Sequence, residues 1–303
     1  MNWMTKRSFE RYVNWGEIHE YPDFEHFEHR ASNRGFHMIG YGTGYLDVYV
    51  EDKGAETTIV FFHAAMGLDG LTLPVFTGRN LMEGLEANAI YLSDPSLEFG
   101  LGLGWYAGDS DRPLQQDLPR VLESLISRFS KHKHLVFFGA SGGGFASLFY
   151  GSLFSRALSV CVNPQVNIFW YLPGAFEPYL EACWPEEGIT SREFVSDVSV
   201  QYRGGRAGNT VLYLQNLGDA SHIRDQLLPW LEEEPQREVE FFLHLGQWGK
   251  GHRAPSAAVL KPLLETAIAA RGNWARLDID VEKCLEPELI RKKSVSYLNS
   301  LKK

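Results

Sequence analysis

Between about residues 36 and 270, short runs of β-branched and aromatic residues alternate with amphipathic helical stretches. The runs fall at 46–50, 57–62, 89–93, 134–138, 157–162, 210–215 and 239–243, and several are apolar almost from end to end. A strand with one wet face would alternate apolar and polar residues. These runs are therefore expected to be covered on both sides, as in a parallel sheet. Among the intervening helices, Leu118, Val121, Leu122, Leu125, Ile126 and Phe129 share one face, and Val259, Leu260, Leu263, Leu264, Ala267 and Ile268 share another. Strand–helix alternation of this kind predicts the α/β class, with a mostly parallel, doubly wound sheet.

Three stretches fall outside the alternation. Residues 1–35, polar and aromatic, read as an N-terminal extension to the α/β domain at 36–270. Residues 165–206, rich in Trp, Tyr, Phe and Pro, read as a small cap inserted into it, and 271–303 as a helical tail. A chain of 303 residues, 44% hydrophobic, can bury a core that needs no disulfide or metal staple. Cys161, Cys183 and Cys284 have neither zinc-site nor disulfide-framework spacing. A net charge of −9 argues against a nucleic-acid partner, which requires a concentrated basic face. The first residues carry charges where a signal peptide needs an apolar core, and no transmembrane stretch is visible. A cytoplasmic protein without a membrane partner is the expectation.

The segment His134-Leu-Val-Phe-Phe-Gly-Ala-Ser-Gly-Gly-Gly-Phe-Ala-Ser-Leu148 runs an apolar strand into Gly139-Ala140-Ser141-Gly142-Gly143 and then into a helix-compatible stretch. This is G-x-S-x-G in the context that makes it a nucleophile elbow. The turn from strand to helix is so tight that only small residues fit two before and two after the serine. The Ser141 hydroxyl is then presented at the carboxyl edge of the sheet, and the Gly142 amide lies at a helix N-terminus, where it can stabilise an oxyanion. A glycine-rich phosphate loop is the competing reading, but Ser141 interrupts G-x-G-x-x-G and no Gly-Lys-Ser/Thr follows.

A serine nucleophile needs a base to take its proton and an acid to orient that base. The strand at 210–215 leads into Asn216-Leu-Gly-Asp-Ala-Ser-His222, which offers Asp219. The strand at 239–243 leads into His244-Leu-Gly-Gln-Trp-Gly-Lys-Gly-His252, which offers His252. Asp225 is a second-choice acid, His222 the rival base, and His244 is expected to pack. A second oxyanion donor is expected from the loop Phe62-His63-Ala64-Ala65-Met66, with the Ala65 amide preferred over that of Ala64.

On these motifs, residues 36–270 resemble the α/β-hydrolase superfamily, with nucleophile, acid, histidine and oxyanion strand in the family's order. Ala64 stands where the family's His-Gly signature commonly has Gly. The resemblance implies an eight-stranded, mostly parallel sheet, a Ser-His-Asp triad of Ser141, His252 and Asp219, acyl-enzyme chemistry and no cofactor. It does not imply a substrate.

A cap at this chain position covers the nucleophile in such folds. Trp170 and Tyr171 are accordingly candidates to line a pocket, along with Trp105, Tyr106 and Trp248, in company with Phe176, Tyr179 and Trp184; plain core packing is the open alternative for each. An aromatic-lined cleft suits the ester of a small or medium alcohol, including an acylated carbohydrate. An acyltransferase with the same triad is the nearest alternative, and a catalytically silent binding protein the alternative from another class. The cluster Glu17, His19, Glu20, Asp23, His26 and His29 invites a metal reading. Pro22 and the surrounding aromatics instead predict an irregular packed segment, and no metal ligand is assigned.

Overall fold

The computed structural model describes residues 5–30, 32–185, 194–203, 207–232, 240–282 and 286–302. The sheet is built from β1 (Ile18–Tyr21), β2 (Gly35–Tyr41), β3 (Gly44–Glu51), β4 (Thr57–Phe62), β5 (Asn88–Ser93), β6 (His134–Ala140), β7 (Leu158–Val162), β8 (Thr210–Asn216) and β9 (Phe241–Gly246). Their order is β1-β2-β3-β5-β4-β6-β7-β8-β9. From β5 to β9 every pairing is parallel, and only β3 runs antiparallel to its neighbours. The expected strand at 239–243 begins at Phe241; Val239, like Cys284, lies outside the described residues.

Successive residues of one strand enter two different cores, which is why the strand sequences are apolar without alternation. Val60 and Phe62 join Phe137, Cys161 and Tyr213 against α2 (Leu114–Ile126) and α3 (Gly142–Ser152). Ile59 and Phe61 join Tyr91, Val136 and Leu212 against α7 (Ala257–Ala270). Leu118, Val121, Leu122 and Leu125 of α2 are fully buried, as their spacing requires, whereas Val259 of α7 is exposed and Ile268 only partly covered.

The N-terminal segment departs from the expectation twice. It contributes β1, paired in parallel with β2, so the sheet gains a strand beyond the eight implied. It also forms a helix, α1 (Phe24–Arg30), where an irregular segment was expected; the Asp23 carboxylate caps it by accepting the His26 amide at 2.8 Å. Phe27 of α1 packs edge-on against the buried His37 ring of β2, and Tyr21 stacks on the same ring and meets Phe27 edge-on.

Burial, reinforced by His19 and Arg128, pushes the His37 imidazole down to about 3. The folded state thus refuses a proton that the unfolded chain accepts below its ordinary value of about 6.5. Stability should be complete above that pH and decline as pH falls toward 3, by about 1.4 kcal/mol per pH unit for this group. Urea unfolding at pH 7, 6 and 5 should show a shallower decline in His37→Phe; equal slopes would remove His37 from the account.

Downstream of β7, the segment expected as a cap has Ile168–Trp170 as a single turn, α4 (Pro173–Cys183), a bridge between Asn167 and Asp197, and the turn Val198–Gln201. Its positions 186–193 and 204–206 lie outside the described residues. After β8 come α5 (Ala220–His222), a π-helical turn Ile223–Leu227 and α6 (Leu228–Glu232); α8 (Pro287–Ser300) closes the chain. No described helix is long and apolar enough to cross a membrane.

Candidate active site

β6 ends at Ala140, and α3 begins at Gly142, leaving Ser141 alone in the turn at φ 55°, ψ −119°. A non-glycine residue there is strained and persists only because its surroundings over-determine it. The Ser141 amide donates to the Val162 carbonyl of β7 at 2.9 Å, and its carbonyl receives the Phe145 amide of α3. The flanking glycines are enforced by close backbone approach. A Cβ on Gly139 would sit 2.0 Å from the Gly143 oxygen, and one on Gly143 would sit 2.6 Å from the carbonyl oxygens of Phe62 and His63.

The Ser141 hydroxyl has a partner that the sequence did not disclose. The Nε2 amide of Gln165 donates to Oγ at 3.0 Å, while Gln165 Oε1 receives the indole N–H of Trp105. Gln165 is fully buried.

The candidate acid and base follow adjacent strands, β8 and β9. Asp219 follows β8 and accepts the His222 amide at the start of α5. Its Oδ2 lies 2.6 Å from His252 Nδ1. The same oxygen lies 3.1 Å from His222 Nδ1, but off the hydrogen-bond direction, so that ring makes a close polar contact without a hydrogen bond among the described residues. The two imidazoles stack with centroids 3.9 Å apart, and Tyr171 packs edge-on against His222. Burial alone would raise the Asp219 carboxyl; the two histidines outweigh it and hold the group well below the ordinary carboxylate range. Burial likewise pushes the His222 imidazole down, against the pull of Asp219. Asp219, His222 and His252 bring their ligand-capable atoms within 4.8 Å of one another.

The histidine loop is held by buried asparagines. Asn216, at the end of β8, donates to the Gly249 and Gly251 carbonyls at 2.9 and 2.8 Å and accepts the Gly218 and Trp248 amides, both at 3.1 Å. Asn163, just past β7, accepts the Asn216 amide and donates to the Arg253 carbonyl. Two residues on, the Gln165 amide donates to the Ser141 carbonyl. A continuous polar chain thus links the backbone beside His252 to the elbow. From outside, Tyr297 of α8 accepts the Gly249 amide, and Ser294 donates to the Leu217 carbonyl. Asn216→Ala strands four backbone groups, and it should cost about 2–4 kcal/mol and lower kcat about tenfold or more by loosening the loop. Denaturation midpoints and turnover measured together check this; an unchanged kcat would separate Asn216 from the site.

On the other side of the elbow, His63 is buried after β4. Its Nε2 accepts the Asp94 amide at 3.2 Å, so its proton resides on Nδ1, which donates to the Ala64 carbonyl at 2.8 Å. Burial pushes this imidazole down, against the influence of Asp94. A planar trans peptide points its N–H opposite to its C=O, so the Ala65 amide is turned away from His63. The Met66 amide is committed to the Gly102 carbonyl. Gly142 supplies the first amide of α3, where helix donors have no intrahelical partner.

Among the aromatics, Trp105, Tyr106, Tyr179 and Trp184 take the core-packing alternative. Trp105 and Tyr106 are fully buried, both at φ 54°. Trp105 stands behind Gln165. Tyr106 donates to the Leu92 carbonyl and accepts the His63 amide, so its hydroxyl is engaged within the protein. Tyr179 and Trp184 are likewise buried and hydrogen-bonded to each other, Trp184 stacking on Phe194. Trp248 packs beside His244, and Trp170 is exposed on the cap. Of the five residues expected to bind substrate, Tyr171 is the one placed against the histidine pair. His244 has its Nδ1 on the Asp280 carbonyl, and Asp225 pairs with Arg224 on the surface. His26 is bonded to Asp23 on an exposed surface.

No family model matches the chain. It is 24% identical over 182 residues to an accessory Sec system protein of Staphylococcus aureus, a match covering 54% of this chain and 33% of that protein. The match thus spans about a third of that relative's length. Among solved structures it resembles the capsule O-acetyltransferase of Neisseria meningitidis serogroup A, with TM-score 0.58, 17% identity and coverage of 74% of this chain and 91% of that one. A histidine-to-alanine mutant of that enzyme in complex with CoA superposes at TM-score 0.54 and 15% identity, over the same shares of the two chains. An S-formylglutathione hydrolase of Agrobacterium tumefaciens matches at TM-score 0.51 and 17% identity, over 77% of this chain and 90% of that one. The chain has the α/β-hydrolase fold.

Proposed function

We propose that this chain acts on a carboxylic ester through Ser141, His252 and Asp219. Ser141 Oγ attacks the carbonyl carbon as its proton passes to His252, and the amides of Gly142 and Ala65 receive the oxyanion. Collapse expels the alcohol, protonated by His252, and leaves an acyl group on Ser141. Water or an acceptor hydroxyl, activated by the same imidazole, then takes that acyl group. The observation that carries this reading is the 2.6 Å contact between Asp219 Oδ2 and His252 Nδ1, on a loop tied through Asn216 and Asn163 to a strained serine elbow.

An acylated carbohydrate is the substrate class we favour. Exposed Trp170 and half-buried Tyr171 beside the histidine pair offer rings for a sugar to stack on, and a capsule O-acetyltransferase shares the fold. Acyl transfer is the second reading, favoured by the CoA bound to a histidine-to-alanine mutant of that enzyme. Labelling of Ser141 by a fluorophosphonate, run beside acyl esters of graded chain length with and without a sugar acceptor, tests both. Hydrolysis indifferent to acceptor supports the esterase, and acceptor-dependent turnover the transferase. An unlabelled Ser141 with no turnover would refute the proposal.

A further inference from the structure

We infer that Gln165 is a catalytic hydrogen-bond donor to the nucleophile oxygen, and that Trp105 is the positioning residue that aims it. The inference rests on the reading of Ser141 as nucleophile. A carboxamide can present either end to a neighbour, and here the choice is settled by chemistry. Trp105 Nε1–H is a donor only, so it must meet the Gln165 oxygen; reversing the amide would set donor against donor. The NH₂ group therefore faces Ser141 Oγ, at 3.0 Å. The Gln165 backbone is fixed on the same residue, its amide donating to the Ser141 carbonyl at 3.2 Å. Gln165 and Trp105 are both fully buried, so water does not compete for these bonds.

A serine hydroxyl has one proton and two lone pairs. With one lone pair taken by Gln165, the proton must be donated elsewhere, and His252 is the base proposed to receive it. As the Oγ–H bond breaks and the Oγ–carbon bond forms, charge gathers on an oxygen that already faces a fixed N–H in a dry setting. When the acyl group leaves for water or an acceptor, the Oγ–carbon bond breaks, and the same donor meets the returning charge while His252 gives back its proton. Gln165 thus differs from the Gly142 and Ala65 amides. They would serve the carbonyl oxygen of the substrate, whereas it serves the oxygen of the enzyme.

Gln165→Glu keeps the shape and the Trp105 bond and, once ionised, turns the donor at Oγ into an acceptor that competes with His252 for the serine proton, so its loss should deepen as pH rises and the buried carboxyl gives up its proton. In the full chain, it should lower kcat on an activated ester about tenfold to a hundredfold with KM within about threefold. Phosphonylation of Ser141 by a fluorophosphonate should slow in parallel, since it uses the same oxygen. Gln165→Met should match it, and Trp105→Phe, which frees the amide to turn, should show a smaller loss of about threefold to tenfold. A purely structural role would instead lower the melting temperature and leave the phosphonylation rate of the folded fraction unchanged. Should Gln165→Met fail to fold, Gln165→Glu decides alone. Phosphonylation within twofold of the parent in the folded variants overturns the role of Gln165. A parent chain that resists phosphonylation altogether overturns the nucleophile reading and this inference with it.

Discussion

Ser141→Ala is expected to lower kcat on activated esters by about 10⁴-fold or more, with the fold intact. The size of the effect follows from covalent chemistry: without Oγ there is no acyl-enzyme, and the residual rate comes only from binding and the oxyanion amides. The fold should tolerate the change because the backbone at Ser141 is held by hydrogen bonds to Val162 and Phe145 that alanine also makes. The one partner left without its acceptor is Gln165 Nε2, a cost of about 1–2 kcal/mol. Steady-state kinetics beside a thermal melt check both halves. Turnover within tenfold of the parent would remove Ser141 as nucleophile; a collapsed melt would show that the hydroxyl is needed for folding.

What the sequence disclosed was what depends on local pattern. The parallel strands were legible because both faces of each are covered, which writes an unbroken apolar run into the chain. The elbow was legible because steric crowding at Gly139 and Gly143 forbids any side chain, which leaves a fixed spacing around Ser141. Edge strand β1 left no such record: only Tyr21 of Ile18-His-Glu-Tyr21 is buried, so no period of two survives. The helix α1 did carry a signal, the Asp23 cap three residues before His26, but Pro22 and the aromatics pointed the other way.

The pieces the sequence hid are long-range polar contacts. Gln165 meets Trp105 across 60 residues, and Asn163 meets Arg253 across 90. Each is a common turn or loop residue when read locally, and its part in the site exists only once the sheet has closed. The aromatics were ambiguous for a related reason. A tryptophan in a glycine-rich loop carries no mark of whether it faces a ligand or the core, and Trp105 and Tyr106 face inward, supporting Gln165 and the His63 loop.

Asp219→Asn is the second large effect expected, and it separates two histidines that compete for one carboxylate. In the proposed triad, Asp219, 2.6 Å from His252 Nδ1, keeps that proton on Nδ1 so that the far nitrogen is free to accept one, and its charge offsets the imidazolium that forms. An asparagine of the same shape can offer its NH₂ to Nδ1 instead, which favours the wrong tautomer, and kcat should fall by roughly 10⁴ with little change in stability. His252→Ala should be nearly as severe. Among the described residues, His222 makes no hydrogen bond through its ring, is buried beneath the stack and sits under Tyr171, so it has no open path to a substrate. His222→Ala should therefore retain substantial turnover, losing packing against His252 but not the base. Asp225→Asn, at a carboxylate paired with Arg224 on the surface, should behave like the parent. Kinetics on the four variants decide the assignment. If His222→Ala is the dead enzyme and His252→Ala the active one, the base is the buried ring and the histidine loop is scaffold.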